Sequence, residues 1–262
     1  MAEVWLSIIG LGEDGLDGLS PASHKALMAA EVVMAPTRHL ALLGDWQADC
    51  IEWPVPFAEG LPLLEGLRGR KVAVLTSGDP FWFGAGSTVA QRFAPGEWRA
   101  FPSASVFSLA SARLGWQLET TLCAACHAAP FQRLRPQLAD GGKVIVTLRD
   151  GGAVVPLGQY LAKVGFGDSK MHVLEALNGP RERVRALLAK DCDLDDVTHP
   201  VAVALELRGH AGLPVVSGLP DDSFDSDGLM TKRPIRALTQ STLAPQPGEL
   251  RWAIGAGSGS IA

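Results

Sequence analysis

Two short segments that combine glycine with acidic residues are the parts of this sequence best suited to bind a small molecule. GLGEDG, residues 10–15, follows one apolar run, and SGDP, residues 77–80, follows another. In the second segment Gly78 lets the backbone approach a ligand, Pro80 stiffens the turn, and Asp79 offers a carboxylate that accepts hydrogen bonds. Open α/β sheets bind ligands beyond the carboxyl ends of their strands, which is where both segments are expected.

The G-x-G-x-x-G spacing of residues 10–15 is also typical of NAD-binding proteins, so a nicotinamide-dependent oxidoreductase is one hypothesis. Two observations oppose it. The next helix begins only at Ser20-Pro21, whereas the third glycine of a dinucleotide site lies inside the helix. The second apolar run ends in Ala35-Pro36 and lacks the acidic residue that binds a ribose. A glycine-rich connection without a ligand stays open as a further alternative.

The segment CAACH, residues 123–127, has the C-x-x-C-H spacing that attaches c-type haem, so a haem carrier is a third hypothesis. Haem is attached to this motif after export, and the N-terminus MAEVWLSIIG lacks the basic leader of an export signal. A zinc site would need a second Cys or His pair with ligand spacing. The plainer interpretation is two small buried thiols beside a loop histidine.

Short apolar runs alternate with helical segments along most of the chain, which predicts an α/β protein. In the first part we expect strands at 3–10, 31–34 and 71–78, and helices at 20–30, 84–93 and 105–114. In the second part we expect strands at 143–150, 171–177 and 200–207, and helices at 152–165 and 180–189. Helices are few relative to strands in the second part, which indicates some antiparallel pairing.

We therefore predict two α/β domains, residues 1–115 with a parallel sheet and residues 116–207 with a mixed sheet. Residues 208–262 are expected to be a linker followed by the start of a further domain, because ELRWAIGAGSGS looks like a strand that enters a glycine loop. Such a loop works with a helix behind it, so we expect the chain to stop before most of that domain. Residues 221–262 are then expected to be mostly without order.

The composition disfavours some classes of binding partner. The 262 residues are 47% hydrophobic, enough for a sizeable core, and the formal net charge of −5 disfavours nucleic acid and anionic membranes as partners. No segment is long and apolar enough to span a bilayer. We expect a cytoplasmic protein whose four cysteines are reduced thiols.

Taken together and in this order, GLGEDG, LTSGDPFWFG and FPSASVFSLASARLG resemble the tetrapyrrole methylase family, whose members transfer a methyl group from S-adenosylmethionine (SAM) to a porphyrin-like macrocycle. The similarity covers about residues 3–207. GLGEDG, RHLALL and SASVFSLASARLGW look most like the branch that methylates C5 of a corrin precursor in cobalamin biosynthesis. MTKRPIRA and WAIGAGSGS in the tail resemble the start of a fused second methyltransferase, which methylates C15 and removes a carboxylate.

The resemblance implies a cleft between the two domains that binds SAM and releases S-adenosylhomocysteine (SAH), and it implies a homodimer. The cofactor-binding residues it implies are Gly10, Gly12, Glu13, Gly78, Asp79, Pro80, Trp82, Ser105, Val106, Leu148 and Ala176.

The substrate of this family carries many carboxylates, and three residues near predicted loop ends could pair with them: Arg38, His39 and Arg149. A solvated side chain or a helix-end contact is the alternative for each. Methyl transfer from SAM requires neither a metal nor a nucleophilic side chain. Glu13 and His127 are candidates for a base that removes a proton afterwards, with a structural role as the alternative.

Overall fold

The computed structural model describes residues 4–210, 212–246 and 248–261. The first sheet contains β1 (Leu6–Leu11), β2 (Val32–Ala35), β3 (Asp49–Glu52), β4 (Val72–Ser77) and β5 (Trp98–Phe101). Its order is β3-β2-β4-β1-β5 and every pairing is parallel, so all of its strands end at one edge. The helices of this part are α1 (Pro21–Met28), α2 (Thr37–Leu43), α3 (Gly60–Glu65), α4 (Gly86–Arg92) and α5 (Val106–Leu114).

The central strands β1 and β4 are buried on both faces, as their nearly continuous apolar sequences require. On one face Ile8 and Val74 pack with Trp53 and Phe93. The opposite face packs against α1 through residues such as Leu27. Fully burying one such aliphatic side chain contributes about 1.5–3 kcal/mol, so the two apolar layers hold the carboxyl edge of the sheet in a fixed geometry.

The second sheet is mixed. It contains β6 (Leu122–Ala125), β7 (Lys143–Thr147), β8 (Lys170–Glu175), β9 (Arg183–Leu188) and β10 (Val201–Glu206), in the order β6-β7-β10-β8-β9. Only the β6–β7 pairing is parallel among these described strands. Helix α6 (Val154–Lys163) packs on one face, and α5 packs on the other through Phe107. The predicted α/β fold with one parallel and one mixed sheet is confirmed.

The helix predicted at 180–189 is wrong, because this segment forms the edge strand β9. Arg183 and Arg185 both bind the Glu175 carboxylate on β8. Residues two apart share a face in a strand but not in a helix, so this shared partner favours the extended form over the helical propensity of the segment. The sequence prediction also missed β3, β5, α2 and α3.

The tail contains one helix, α7 (Arg233–Leu243). Arg236 on this helix is fully buried, and its guanidinium donates to Asp221 at 2.7 Å and to the Thr231 carbonyl at 2.6 Å. The expectation of a mostly disordered tail is therefore wrong for this segment. The strand expected at the start of ELRWAIG is wrong as well, since the described residues 249–254 have no strand. None of the helices in the described parts of the chain combines the length and hydropathy needed to cross a bilayer.

Candidate functional site

A cavity of about 400 Å³ lies at the carboxyl edge of the first sheet. The segments after β1, β2 and β4 line it on one side, together with the start of α5. Segments of the second sheet line it on the other side, namely residues after β7 and around the start of β10. A site between sheets at the ends of parallel strands is the common place for a ligand in an α/β protein.

The SGDP turn forms part of the cavity wall because of two glycines. Gly78 has a positive φ of 55°, a conformation that favours glycine. Gly10 on β1 lies directly behind it, and a Cβ at Gly10 would lie 1.8 Å from the Gly78 carbonyl oxygen. That carbonyl accepts a hydrogen bond from Ser103 N at 3.2 Å, and Gly78 N donates to Leu11 O at 3.1 Å. The turn is thus fixed by β1 and by the segment that precedes α5.

The neighbouring wall is the first turn of α5. Ser105 is the N-cap, and its hydroxyl accepts from Ser108 N at 3.1 Å. Ser105 is buried and lines the cavity together with Val106. The α5 helix then packs on the second sheet through Phe107, so this helix connects the cavity to both sheets.

Arg38 is the centre of a polar cluster in the cavity wall, and we refer to Glu13, Arg38, His39 and Ser77 as the Arg38 cluster. Arg38 Nη1 donates to Glu13 Oε1, and Arg38 Nη2 donates to His39 Nε2 at 2.9 Å and to Ser77 Oγ at 2.8 Å. Glu13 also accepts from Arg181 Nη2 at 3.3 Å. Three adjacent strands, β1, β2 and β4, supply the cluster, since each residue lies at or just after a strand end.

His39 is neutral in this cluster. Burial, and to a lesser extent the positive charge of Arg38, together lower the pKa of its imidazole to about 3. Because a guanidinium only donates hydrogen bonds, Nε2 must accept from Arg38, which places the ring hydrogen on Nδ1. Nδ1 is buried and has no partner within the described chain. Leaving a buried donor unpaired costs about 1–3 kcal/mol.

The second sheet contributes the opposite wall of the cavity. Leu148 is buried at the end of β7, and Arg149 beside it pairs with Asp150 at 2.7 Å while staying mostly exposed. His199 also lines the cavity. Desolvation lowers the pKa of its imidazole, and the positive charge of Arg38 lowers it as well.

The segment that carries His199 is held by a buried carboxylate. Glu175, fully buried at the end of β8, accepts from Thr198 N at 2.7 Å. Its two oxygens also bind Arg183 and Arg185, which pair in turn with Asp196. Burial alone raises the pKa of the Glu175 carboxyl, but the hydrogen bonds from Arg183, Thr198 and Arg185 and the positive charge of Arg185 outweigh it and lower the pKa.

Aromatic side chains form an apolar part of the cavity rim. Trp82 and Phe83 follow the SGDP turn, line the cavity and are partly exposed. The Trp82 ring lies 5.0 Å from the buried Phe107 ring. Across the cavity Phe57 stacks on Trp53 at 4.6 Å. A flat apolar ligand could lie against such a rim.

Most of the sequence-predicted residues lie together in the cavity wall. Those that line it are Gly12, Glu13, Arg38, His39, Gly78, Asp79, Trp82, Ser105, Val106, His127, Leu148 and Arg149.

Three predicted residues, all in the described chain, do not line the cavity. Gly10 lies behind the Gly78 carbonyl, and Pro80 is packed beneath Gly84 and Gly86. Ala176 is buried with a positive φ of 43°, and its N–H donates to the Pro200 carbonyl. These residues shape the backbone that carries the wall, and their predicted direct contact with a cofactor has no support in this geometry.

Sequence reasoning missed several residues of the site. Phe57 and His199 line the cavity, and Arg181 binds Glu13 from the loop before β9. Ser77, which the predicted SGDP segment includes, lines the cavity as well. Phe57 and His199 lie in loops far from the two glycine segments, so only the tertiary structure brings them there.

The CAACH segment occupies the end of β6 and the residues just after it. Cys123 lies within β6, and Cys126 is buried just after it, where its N–H donates to the Thr147 carbonyl. Burial raises the pKa of both thiols, which keeps them protonated and unreactive. Within residues 4–210, 212–246 and 248–261 no group of three or more His, Cys, Asp or Glu side chains could hold a metal ion.

Comparison with known proteins indicates the family of this chain. A model of the tetrapyrrole (corrin/porphyrin) methylase family matches residues 6–207, and a model described as a precorrin methyltransferase domain matches residues 222–262. A precorrin-6Y C(5,15)-methyltransferase (decarboxylating) from Sinorhizobium sp is 42% identical over 98% of this chain and 63% of its own length. The chain thus spans less than two thirds of that relative.

Two further proteins are similar to about three quarters of the chain. A cobalt-precorrin-7 C(5)-methyltransferase from Salmonella typhimurium is 23% identical over 76% of this chain and 98% of its own length. The crystal structure of a uroporphyrin-III C-methyltransferase from Thermus thermophilus, complexed with S-adenosyl homocysteine, has a TM-score of 0.62 at 18% identity. It covers 76% of this chain and 96% of that one, and it shares the fold. These findings give no support to the oxidoreductase hypothesis.

The family model spans both sheets, from the start of β1 to the residue after β10. The chain is a member of the tetrapyrrole (corrin/porphyrin) methylase family.

Proposed function

We propose that this protein is a SAM-dependent C-methyltransferase that acts on C5 of a corrinoid precursor in cobalamin biosynthesis. The observation that carries the proposal is the SGDP turn, which lies in the wall of a cavity lined by segments of both sheets. The turn can lie there because Gly10 has no side chain that would meet the Gly78 carbonyl. The relatives named as precorrin-6Y and cobalt-precorrin-7 methyltransferases supply the substrate class.

The cavity fits SAM in size and chemistry. Ligand sites for molecules of this size measure about 300–1,000 Å³, and this cavity measures about 400 Å³. Two threonines in its wall, Thr76 and Thr147, have buried hydroxyls without a hydrogen-bond partner in the described chain. Buried polar groups normally have partners, so these hydroxyls are available to a polar ligand. Leu148, Leu174 and Leu177 offer an apolar surface of the kind that an adenine ring contacts.

When bound, SAM supplies a methyl group that its sulfonium makes electrophilic. The residues of the chain then have to hold the acceptor carbon in line with that methyl group and exclude water, and such positioning can contribute about 7–11 kcal/mol of the barrier. The fixed SGDP turn and the capped start of α5 form the rigid wall. The rim of Trp82, Phe83 and Phe57 is suited to the flat face of a macrocycle. Arg149 at the mouth is placed to meet a carboxylate of the substrate.

The two predicted bases differ in how open they are to a ligand. Glu13 is engaged by Arg38 and Arg181, which favours a structural and charge-balancing role. His127 is exposed in the cavity wall and stays the candidate of the two that is open to a ligand.

The test is calorimetric titration with SAH and, separately, with NADH. We expect SAH to bind and NADH not to bind. The methyl transfer itself is followed by mass spectrometry of a precorrin substrate incubated with SAM labelled on its methyl group. Binding of NADH without binding of SAH would reject the proposal in favour of the oxidoreductase hypothesis.

Four finer features belong to the same proposal. The match of residues 222–262 to a precorrin methyltransferase domain supports a fused second activity. We also keep the division into domains 1–115, 116–207 and 208–262, a homodimer, and a cytoplasmic location. Light scattering of the purified protein tests the dimer, and limited proteolysis tests the domain boundaries.

A further inference from the structure

The Arg38 cluster contains more hydrogen-bond donors than its protein acceptors use. Three of the five guanidinium N–H groups of Arg38 reach Glu13, His39 and Ser77. The other two have no acceptor among the described residues. All four members of the cluster line the cavity, and Ser77 is exposed there. A ligand in the cavity can therefore meet a guanidinium whose orientation is already fixed by three contacts.

The Ser77 hydroxyl is a further donor. Its oxygen accepts from Arg38 Nη2 at 2.8 Å, so it keeps its own hydrogen. Ser77 Oγ also lies 3.2 Å from His39 Nε2, but Arg38 is closer to that nitrogen, at 2.9 Å. A neutral imidazole has a single acceptor nitrogen with one lone pair, which Arg38 occupies. The Ser77 hydrogen is thus free to point at an acceptor in the cavity.

The hydrogen-bond donors of the cluster, and not its net charge, select the acceptor. Glu13 and Asp79, which both line the cavity, balance the two guanidinium groups in contact with Glu13, Arg38 and Arg181. Two N–H groups of a guanidinium beside a hydroxyl hydrogen are complementary to the two oxygens of a carboxylate.

We propose that Ser77 and Arg38 together bind one carboxylate of a ligand in the cavity, and that His39 is a positioning residue that holds Arg38 in place. This inference rests on the proposed function, which offers two sources of a carboxylate. One is the amino-acid end of SAM, and the other is a side chain of the macrocycle.

The test compares Ser77→Ala with the wild-type protein by calorimetry with two ligands, SAH and 5′-methylthioadenosine, which lacks the amino-acid carboxylate. If the carboxylate belongs to the cofactor, Ser77→Ala weakens SAH binding by about tenfold or more, as expected for a hydrogen bond to a charged group, and leaves methylthioadenosine binding unchanged. If it belongs to the macrocycle, SAH binding is unchanged and the KM for the precorrin rises while kcat changes less. Ser77→Thr, which keeps the hydroxyl, should lose less SAH affinity in the first case, and raise the precorrin KM less in the second, than Ser77→Ala does.

The positioning role of His39 is tested by two substitutions. His39→Leu removes the acceptor of the Arg38 hydrogen bond and should reproduce the loss seen in Ser77→Ala. His39→Gln offers an amide oxygen at a similar reach and should restore most of the affinity or KM. Equal losses in both variants would overturn the positioning role, and circular dichroism shows whether each variant is folded.

The outcomes separate this inference from the proposed function. A wild-type protein that binds SAH, beside a Ser77→Ala variant with unchanged SAH affinity and unchanged precorrin KM, overturns the carboxylate site alone. A wild-type protein that binds no SAH and methylates no precorrin overturns the proposed function and this inference with it.

Discussion

At the scale of single residues, Gly10 shows how a position outside the cavity can determine the cavity wall. Its missing side chain leaves room for the Gly78 carbonyl, which a Cβ would approach to 1.8 Å. Backbone atoms on both sides of this contact belong to paired strands and a hydrogen-bonded turn, so neither can move without losing hydrogen bonds.

We therefore expect Gly10→Ala to be strongly destabilising. Overpacking of this kind typically costs about 1–3 kcal/mol and occasionally more, and the contact with backbone favours the upper end. The displaced turn should also weaken SAH binding by about tenfold, equivalent to about 1.4 kcal/mol. Urea unfolding and calorimetry measure the two effects.

Gly66→Ala is the matched control, because its Cβ would meet nothing closer than the Leu63 carbonyl at 3.4 Å, an ordinary contact. Its stability and SAH affinity should match the wild type. If Gly10→Ala behaves like this control, the close approach of β1 and the SGDP turn is not what shapes the site.

At the scale of elements, two helices begin with the same cap, and only one of them faces the cavity. Ser105 caps α5 and Ser20 caps α1, each accepting from the N–H three residues on at 3.1 Å. Ser105 lines the cavity, whereas Ser20 lies outside that wall.

Substitution of either cap by alanine should cost about 1 kcal/mol of stability, the usual worth of an N-cap hydrogen bond. Only Ser105→Ala should also weaken SAH binding, because only α5 presents its first turn to the cavity. Thermal unfolding with and without SAH separates the two effects. Equal SAH affinity in the two variants would contradict the assignment of the α5 start to the cofactor site.

The Glu175 contact between β8, β9 and the His199 segment is the second element-scale feature. Glu175→Gln leaves Arg183 and Arg185 without their buried partner. Removing one partner of a buried ion pair costs about 3–5 kcal/mol, and we expect the lower end because both arginines are partly exposed to water. Asp168→Asn, which breaks the exposed pair with Lys190, is the control and should leave stability unchanged.

The difference in unfolding free energy between wild type and Glu175→Gln should change with pH in a definite direction. The folded protein lowers the pKa of the Glu175 carboxyl below its usual 4.5, so the unfolded chain binds the proton more readily. The stabilisation is then fully present above pH 4.5 and is lost as pH falls through the folded pKa. The gap in unfolding free energy between wild type and Glu175→Gln should therefore shrink in acid. A gap that is constant or widens below pH 4.5 would contradict this ion-pair account.

At the scale of the whole molecule, the sequence predicted the strands and helices that local signals determine. It did not predict the elements and contacts that depend on residues far apart in the chain. The apolar strands β1 and β4 and the capped helices α1 and α5 were predictable, because burial on both faces and cap residues are local signals. The β9 segment was not predictable, because its extended form depends on contacts with β8, which include the Glu175 carboxylate that Arg183 and Arg185 both bind. Arg38 and Arg149 were identifiable by type and position, but Arg181 reaches Glu13 only after the two sheets come together.

The tail gives the last prediction. The residues that line the cavity run from Leu11 to Ala202, and the buried Arg236 finds its hydrogen-bond partners within the tail itself. Deletion of residues 217–262 should therefore leave the SAH affinity and the far-ultraviolet circular dichroism of the two sheets unchanged. Calorimetry on the shortened and full chains, with Gly10→Ala as the variant expected to lose affinity, provides the measurement. A severalfold loss of SAH affinity on deletion would mean that the tail supports the cavity wall, since deletion removes none of the lining residues.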